Sequence, residues 1–151
     1  MTTQDIFNYR KVSDRVITGG QPSEAQLRSA AAEGFTTVVN LATERPEHFN
    51  EDEASLVRSL GMAYYPIPVE WDDPRPADFE EFENRLQKLG EGKTLIHCAA
   101  NFRVTAFYGL YAMKHLGWSE AQADAFRMQV WQGSNYPTWE KFIGEMKDSI
   151  R

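Results

Sequence analysis

Apolar and polar positions alternate along this chain in two rhythms: short β-branched runs, and longer stretches with helical spacing. Arg15-Val16-Ile17-Thr18 reads as a short strand closed by Gly19-Gly20. Ser23 with Gln26 forms a capping-box pattern that opens a helix to about Ala32, and Gly34 stops it. Thr36 to Leu41 is β-branched and buried in character. Asn50, followed by Glu51, Asp52 and Glu53, starts a second helix with the charge its N-terminus favours, and Gly61 ends it. Ala63 to Val69 is the next strand. Phe79, Phe82, Leu86 and Leu89 share a helical face that stops at Gly90. Thr94 to His97 is a short strand, and a helical run follows from about Phe102 to Leu116. Ser119 with Gln122 is another capping box, and Pro137 suits the first turn of a last helix.

Strands that alternate with helices imply βαβ units. The expected fold is therefore α/β and three-layered, with a mainly parallel central sheet of four to five strands flanked by helices. Parallel sheets take ligands beyond the carboxyl ends of their strands. That rule gathers three loops on one rim: Ala42 to His48, Glu70 to Pro76, and Cys98 to Arg103.

Composition narrows the picture. The 151 residues suit one domain, 1–151, and a 13% aromatic share allows it a large core. No window approaches the roughly 20 apolar residues a membrane span needs. The start, MTTQDIFNYRKVSD, lacks the apolar stretch of a signal peptide. A single cysteine excludes an internal disulfide and suits a reducing compartment, so a cytoplasmic location is expected. A net charge of −6 with no basic stripe argues against nucleic acid as a partner. Three scattered histidines and one cysteine offer no metal-ligand spacing, and nothing points to a cofactor.

The charge is unevenly spread. Twelve acidic residues fall between Glu44 and Glu83, whereas none lies between Glu91 and Glu120, where Lys93, Arg103 and Lys114 do. The cysteine sits in that acid-free stretch, in Leu95-Ile96-His97-Cys98-Ala99-Ala100-Asn101-Phe102-Arg103-Val104-Thr105. A buried strand here runs into a short loop and then a helix. Amides at such a helix N-terminus point at one spot and favour negative charge. The same field favours a thiolate on Cys98, and the Arg103 fork matches two oxygens of a tetrahedral anion. A loop this tight needs a residue with positive φ, and Asn101 is the candidate. Most lone cysteines are simply buried apolar residues; the flanking His97 and Arg103 set this one apart.

His97-Cys98 followed closely by Arg103 resembles the phosphate loop of the cysteine-dependent protein tyrosine and dual-specificity phosphatases. Ile17 to Ser23, then Gly34 to Leu41, resembles their bacterial branch, called beta-lactamase-hydrolase-like or phosphatase-like. The resemblance runs from about Tyr9 to about Trp139. It implies a protein tyrosine phosphatase-like fold and hydrolysis of phosphate monoesters, on a phosphorylated protein or a small phosphoester. It also implies roles. Cys98 would attack phosphorus and form a phosphocysteine. Ala99, Ala100, Asn101 and Phe102 would cradle the phosphate, or a sulfate-like anion, with Arg103. His97 would support the cysteine, and an aspartic acid would protonate the leaving oxygen.

The loop departs from the family in length: four residues separate Cys98 from Arg103, one fewer than in the phosphatase motif. Two alignments absorb this. In the first, Arg103 keeps its role and Val104 stands where a hydroxyl residue is usual. In the second, Thr105 keeps the hydroxyl role and Val104 stands where arginine belongs, which would abolish phosphate catalysis. The first is favoured, because an arginine in a loop otherwise free of charge is easiest to explain as an anion ligand. Rhodanese-like sulfurtransferases also carry a cysteine loop after a strand, and many have this shorter spacing. Sulfur transfer through a Cys98 persulfide, and a non-catalytic anion-binding domain, are therefore the alternatives.

On the rest of the rim, Asp72 is the first choice of general acid and Asp73 the second. A solvated acidic turn explains each of them as well. Arg45 is a possible substrate ligand, with surface ion pairing the plainer reading. Gln132 could orient a hydrolytic water, although its segment reads more simply as a turn packed with tryptophan. Asp78 reads as a first-turn charge, and His115 as a favourable charge at a helix C-terminus. Gly109, inside the long helix, reads as a close approach to a neighbouring element.

Overall fold

A computed structural model describes residues 2–43 and 53–150. Five strands form one sheet: β1 (Arg10–Lys11), β2 (Val16–Gly19), β3 (Phe35–Asn40), β4 (Ala63–Pro66) and β5 (Lys93–His97), in the order β1-β2-β5-β3-β4. Every pairing is parallel except β1 with β2. The helices are α1 (Glu24–Ala32), α2 (Glu53–Ser59), α3 (Pro76–Gln87), α4 (Phe102–His115), α5 (Glu120–Trp131) and α6 (Pro137–Ile150), and a short 3-10 turn, Thr3–Asp5, precedes them.

Strand alternation produces the three layers. Adjacent residues Val38 and Val39 are both fully buried, as are Leu95 and Ile96, because successive strand side chains point to opposite faces. Ile17, Val38 and Leu95 pack with Leu27 and Ala30 of α1 and Val57 of α2. Val39 and Ile96 pack with Phe82, Phe107, Leu110 and Phe142 from the helices on the other face. Helix α4 is buried at every position from Arg103 to Leu110, as a helix sandwiched between a sheet and further helices must be.

The local signals hold. Ser23 accepts from the Gln26 amide and Ser119 from the Gln122 amide, both in complete capping boxes. Pro137 opens α6 as expected, and Pro76, read only as the end of a loop, opens α3 in the same way. Asp78 Oδ2 accepts from the Arg75 amide at 3.0 Å, capping α3. A Cβ on Gly109 would meet that of Ala123 at 3.3 Å, so α4 and α5 do approach closely there. His115 and Lys114, in the last turn of α4, both pair with Glu83.

Three expectations shift. The first strand begins at Val16 rather than Arg15 and includes Gly19. The short β1 was not expected. The strand expected over Ala63 to Val69 ends at Pro66 as a regular element, yet its pairing continues: the Ile67 amide donates to Asn40 O and the Val69 amide to Leu41 O. The start expected at Asn50 for the second helix lies outside the described residues. Among the described residues no helix is long and apolar enough to cross a membrane.

Candidate active site

Strand β5 lies between β2 and β3, and Cys98 follows its last residue. The chain then turns through Ala99, Ala100 and Asn101 into α4. Asn101 is the N-cap and adopts φ 67°, ψ 8°. The left-handed residue expected in the loop is therefore Asn101, which tolerates that region better than other side chains do. Its Nδ2 donates to Asn8 O at 2.8 Å and to Thr18 Oγ1 at 2.9 Å.

The outer side of the loop is fully engaged. Cys98 O lies 3.2 Å from His97 Nδ1. Ala99 O accepts from the Gln21 amide at 2.9 Å, and Ala100 O from Asn8 Nδ2 at 3.0 Å. Asn101 O accepts from the Thr105 amide and hydroxyl, and Phe102 O from Trp131 Nε1. In a trans peptide the C=O and N–H point in opposite directions. Carbonyls tied from behind thus turn the amide edge of these peptides the other way. Gly20 makes this packing feasible, since a Cβ there would stand 2.7 Å from Ala99 O and 3.2 Å from Ala100 Cα. The Gly19-Gly20 pair closes the strand and also brings the backbone up under the cysteine loop.

A cavity of about 350 Å³ opens against this loop, lined by Cys98, Ala99, Ala100, Phe102, Arg103, Trp71 and Tyr136. Cys98 is only 1% exposed. Arg103 is also buried, and its Nη1 donates to Val69 O at 3.0 Å. A buried guanidinium held against the backbone and lining the same cavity as Cys98 puts a fixed positive charge at the thiol's pocket. Val104 is fully buried in the core, and Arg103 lines the cavity with Cys98. The Thr105 hydroxyl is spent on Asn101 O and Phe102 O and accepts from Trp131 Nε1. It steadies the loop from within the helix.

The upper wall is aromatic. Trp71 and Tyr136 meet at 5.0 Å between ring centroids, and Phe102 stacks on Trp131 at 5.0 Å. Trp139 Nε1 donates to Trp71 O at 2.8 Å, anchoring the loop after β4 to α6. Asp72 and Asp73, which follow Trp71, are exposed and do not line the cavity. Asp73 Oδ2 instead takes two hydrogen bonds from Arg75, at 2.8 and 2.7 Å. Gln132 is exposed at the C-cap of α5, with φ 53°, and does not line the cavity either. Arg45 lies outside the described residues. Among the described residues no group of three or more His, Cys, Asp or Glu is placed to hold a metal.

Beneath the loop lies a polar network that the sequence did not announce. Glu53 Oε2 is 2.8 Å from Nε2 of the fully buried His97. Gln21 Nε2 donates to Glu53 Oε1 at 2.7 Å, and Asn40 Nδ2 to Glu53 Oε2 at 3.3 Å and to the Tyr64 hydroxyl at 2.9 Å. Burial pushes the Glu53 carboxyl up, but the His97 charge and hydrogen bonds from His97, Gln21 and Tyr64 outweigh it and hold the group below its usual value. Burial beside the Glu53 charge pushes the Tyr64 phenol up to about 12. Glu53 carried no local signal beyond an acid in a helix's first turn.

No protein-family model matches the chain. A DUF442 candidate phosphatase of Shewanella putrefaciens CN-32 superimposes with a TM-score of 0.86 at 30% identity, covering 97% of this chain and 95% of that one. A Beta-lactamase hydrolase-like protein of Xylella fastidiosa strain Temecula1 is 28% identical over 102 residues, 66% of this chain but 23% of that protein's length. The chain thus corresponds to about a quarter of that curated relative. Pseudomonas aeruginosa TpbA, solved in complex with phosphotyrosine, superimposes with a TM-score of 0.68 at 16% identity, covering 100% of this chain and 86% of that one, and shows the shared fold. The expected protein tyrosine phosphatase-like fold is therefore the observed one, and the protein belongs to the DUF442 family, in the branch that includes the beta-lactamase hydrolase-like proteins.

Proposed function

We propose that this protein is a cysteine-dependent phosphatase acting on phosphate monoesters. The observation that carries the reading is one cavity lined by Cys98, Ala99, Ala100, Phe102 and Arg103, with the buried Asn101 shaping the turn from behind rather than lining it and with each carbonyl from Cys98 to Phe102 within hydrogen-bond reach of a donor. Cys98 Sγ would attack phosphorus as a thiolate while the ester P–O bond breaks, and the departing oxygen would take a proton from a carboxylic acid. Water would then attack the phosphocysteine, releasing phosphate and the thiolate. The loop amides and the Arg103 fork would bind the equatorial oxygens, where charge is greatest. Asp72 and Asp73 remain the proposed acids, and the Trp71 loop would have to turn them toward the ester oxygen. The fold shared with TpbA, which binds phosphotyrosine, supports phosphorylated protein or a small aryl phosphoester as substrate. Arg45 and Gln132 are proposed as outer contacts.

Aryl phosphate turnover tests this directly. Cys98→Ser should abolish it. Arg103→Lys should reduce it by about 100-fold or more, as loss of a fixed transition-state donor does. Turnover indifferent to Cys98→Ser would end the reading.

Two observations favour a second reading, sulfur transfer: the short loop, and an aromatic cavity wall with no carboxylate among its described lining. Cys98 would attack the outer sulfur of thiosulfate, releasing sulfite and leaving a persulfide, and cyanide would carry that sulfur away as thiocyanate. No leaving oxygen needs a proton on that route. Thiocyanate formation that depends on Cys98, without aryl phosphate turnover, would favour it.

A further inference from the structure

Glu53 opens α2 at the carboxyl end of the sheet, and only 8% of it is exposed. Its carboxylate meets one edge of the His97 ring, at 2.8 Å from Nε2. The other ring nitrogen, Nδ1, faces the Cys98 carbonyl at 3.2 Å. The ring thus sits between two oxygens that can only accept. A neutral imidazole carries a single N–H and can satisfy one of them, whereas an imidazolium satisfies both.

We propose that Glu53 is a positioning residue for the cysteine, holding His97 as a cation turned edge-on to the Cys98 carbonyl. The pair is neutral overall but oriented. Its positive end abuts the cysteine, and its negative end points away, toward Gln21, Asn40 and Tyr64. The field it leaves at the sulfur is that of the nearer charge, which favours the thiolate. Gln21 and Asn40 hold the carboxylate by hydrogen bonds that carry no charge of their own. Among the described residues, the charged or titratable groups around the pair and the thiol are Tyr64 from β4, Arg58 from α2 at 6.0 Å from the Tyr64 ring centre, and Arg103 from α4. The Tyr64 phenol is neutral throughout the working range, and Arg103, which lines the same cavity as Cys98, adds positive charge there.

This inference rests on Cys98 being a working thiolate, which the phosphatase and sulfur-transfer readings share. Its test needs no turnover. Iodoacetamide alkylates the thiolate form, so the rate of Cys98 alkylation against pH in the full chain reports how readily the thiol ionises. Glu53→Gln should move the midpoint upward by about one pH unit, equivalent to about tenfold slower alkylation below it. Glu53→Asp should restore most of the difference, because it returns the charge. Circular dichroism establishes that both variants are folded. An unchanged midpoint in folded Glu53→Gln overturns the proposal. Nitrogen-15 spectra of the unaltered protein provide a check that no variant can spoil: both His97 ring nitrogens should carry protons at neutral pH, and a singly protonated ring overturns the proposal as well. Absent phosphatase turnover with the expected alkylation shift would sink the phosphatase reading and leave this one standing.

Discussion

Substituting Asn101 separates the two things that residue does for the cysteine loop. Alanine would delete two hydrogen bonds, from Nδ2 to Asn8 O at 2.8 Å and to Thr18 Oγ1 at 2.9 Å, each worth about 1 kcal/mol net. It would also delete Oδ1, which is buried and has no hydrogen-bond partner; losing that desolvated atom returns about 1 kcal/mol. Alanine must then keep φ at 67°, which costs it about 1 kcal/mol more than asparagine. The net destabilisation expected for Asn101→Ala is about 2 kcal/mol by these terms. Glycine loses the same polar atoms and escapes the left-handed penalty, although its freer unfolded chain returns part of that gain. Asn101→Gly should therefore be more stable than Asn101→Ala by about 0.5–1 kcal/mol. Urea unfolding measures both as shifts in midpoint at constant slope. An alanine variant as stable as the glycine one would refute the claim that backbone handedness at residue 101 shapes the loop. A loss below about 0.5 kcal/mol in both would refute the role given to the Asn8 and Thr18 bonds.

Other outcomes follow from the same geometry. Gly20→Ala puts a methyl 2.7 Å from Ala99 O, so it should cost about 1–3 kcal/mol and slow Cys98 alkylation by displacing the loop; unchanged stability would show that the approach is not tight. The Glu53 carboxyl lies below its ordinary value of 4.5 in the folded protein, so its contribution is complete above that value and is lost as pH falls through the lower folded value. Glu53→Gln should accordingly flatten the acid limb of a stability–pH curve measured by urea melts, and an unaltered limb would contradict the assignment. Trp131→Phe keeps the ring stacked on Phe102 but removes the donor to Phe102 O and Thr105 Oγ1, an expected loss of about 1–2 kcal/mol in the same melts.

What the sequence disclosed, and what it hid, divides by range. Ser23, Ser119 and Pro137 announced their helices because a cap acts within one turn. Asn101 was legible for a similar reason: a strand, a tight turn and a helix in succession leave few residues able to take positive φ. The layers were legible because Val38-Val39 and Leu95-Ile96 serve two cores at once, which only a doubly covered strand does. Strand β1 was hidden because two residues carry no periodicity, and its existence depends on pairing with β2. Glu53 was hidden because its partner His97 lies 44 residues away, and its local context explained it adequately as a helix-start charge. The hold of Asn8 on Ala100 spans 92 residues and leaves no mark in either segment. The acid was the weakest inference, since Asp72 and Asp73 were chosen by loop placement alone, and side chains on an exposed turn follow solvent as readily as they follow a site.

The claim on which the rest depends is that Cys98 forms the covalent intermediate of phosphate ester hydrolysis. The most direct measurement is the mass of the intact protein after acid quenching during turnover of an aryl phosphate. The account predicts one added phosphoryl group, located to Cys98 by peptide mapping and absent in Cys98→Ser. An unmodified protein that turns over no aryl phosphate, or one that gains only a sulfur atom when given thiosulfate, would contradict it.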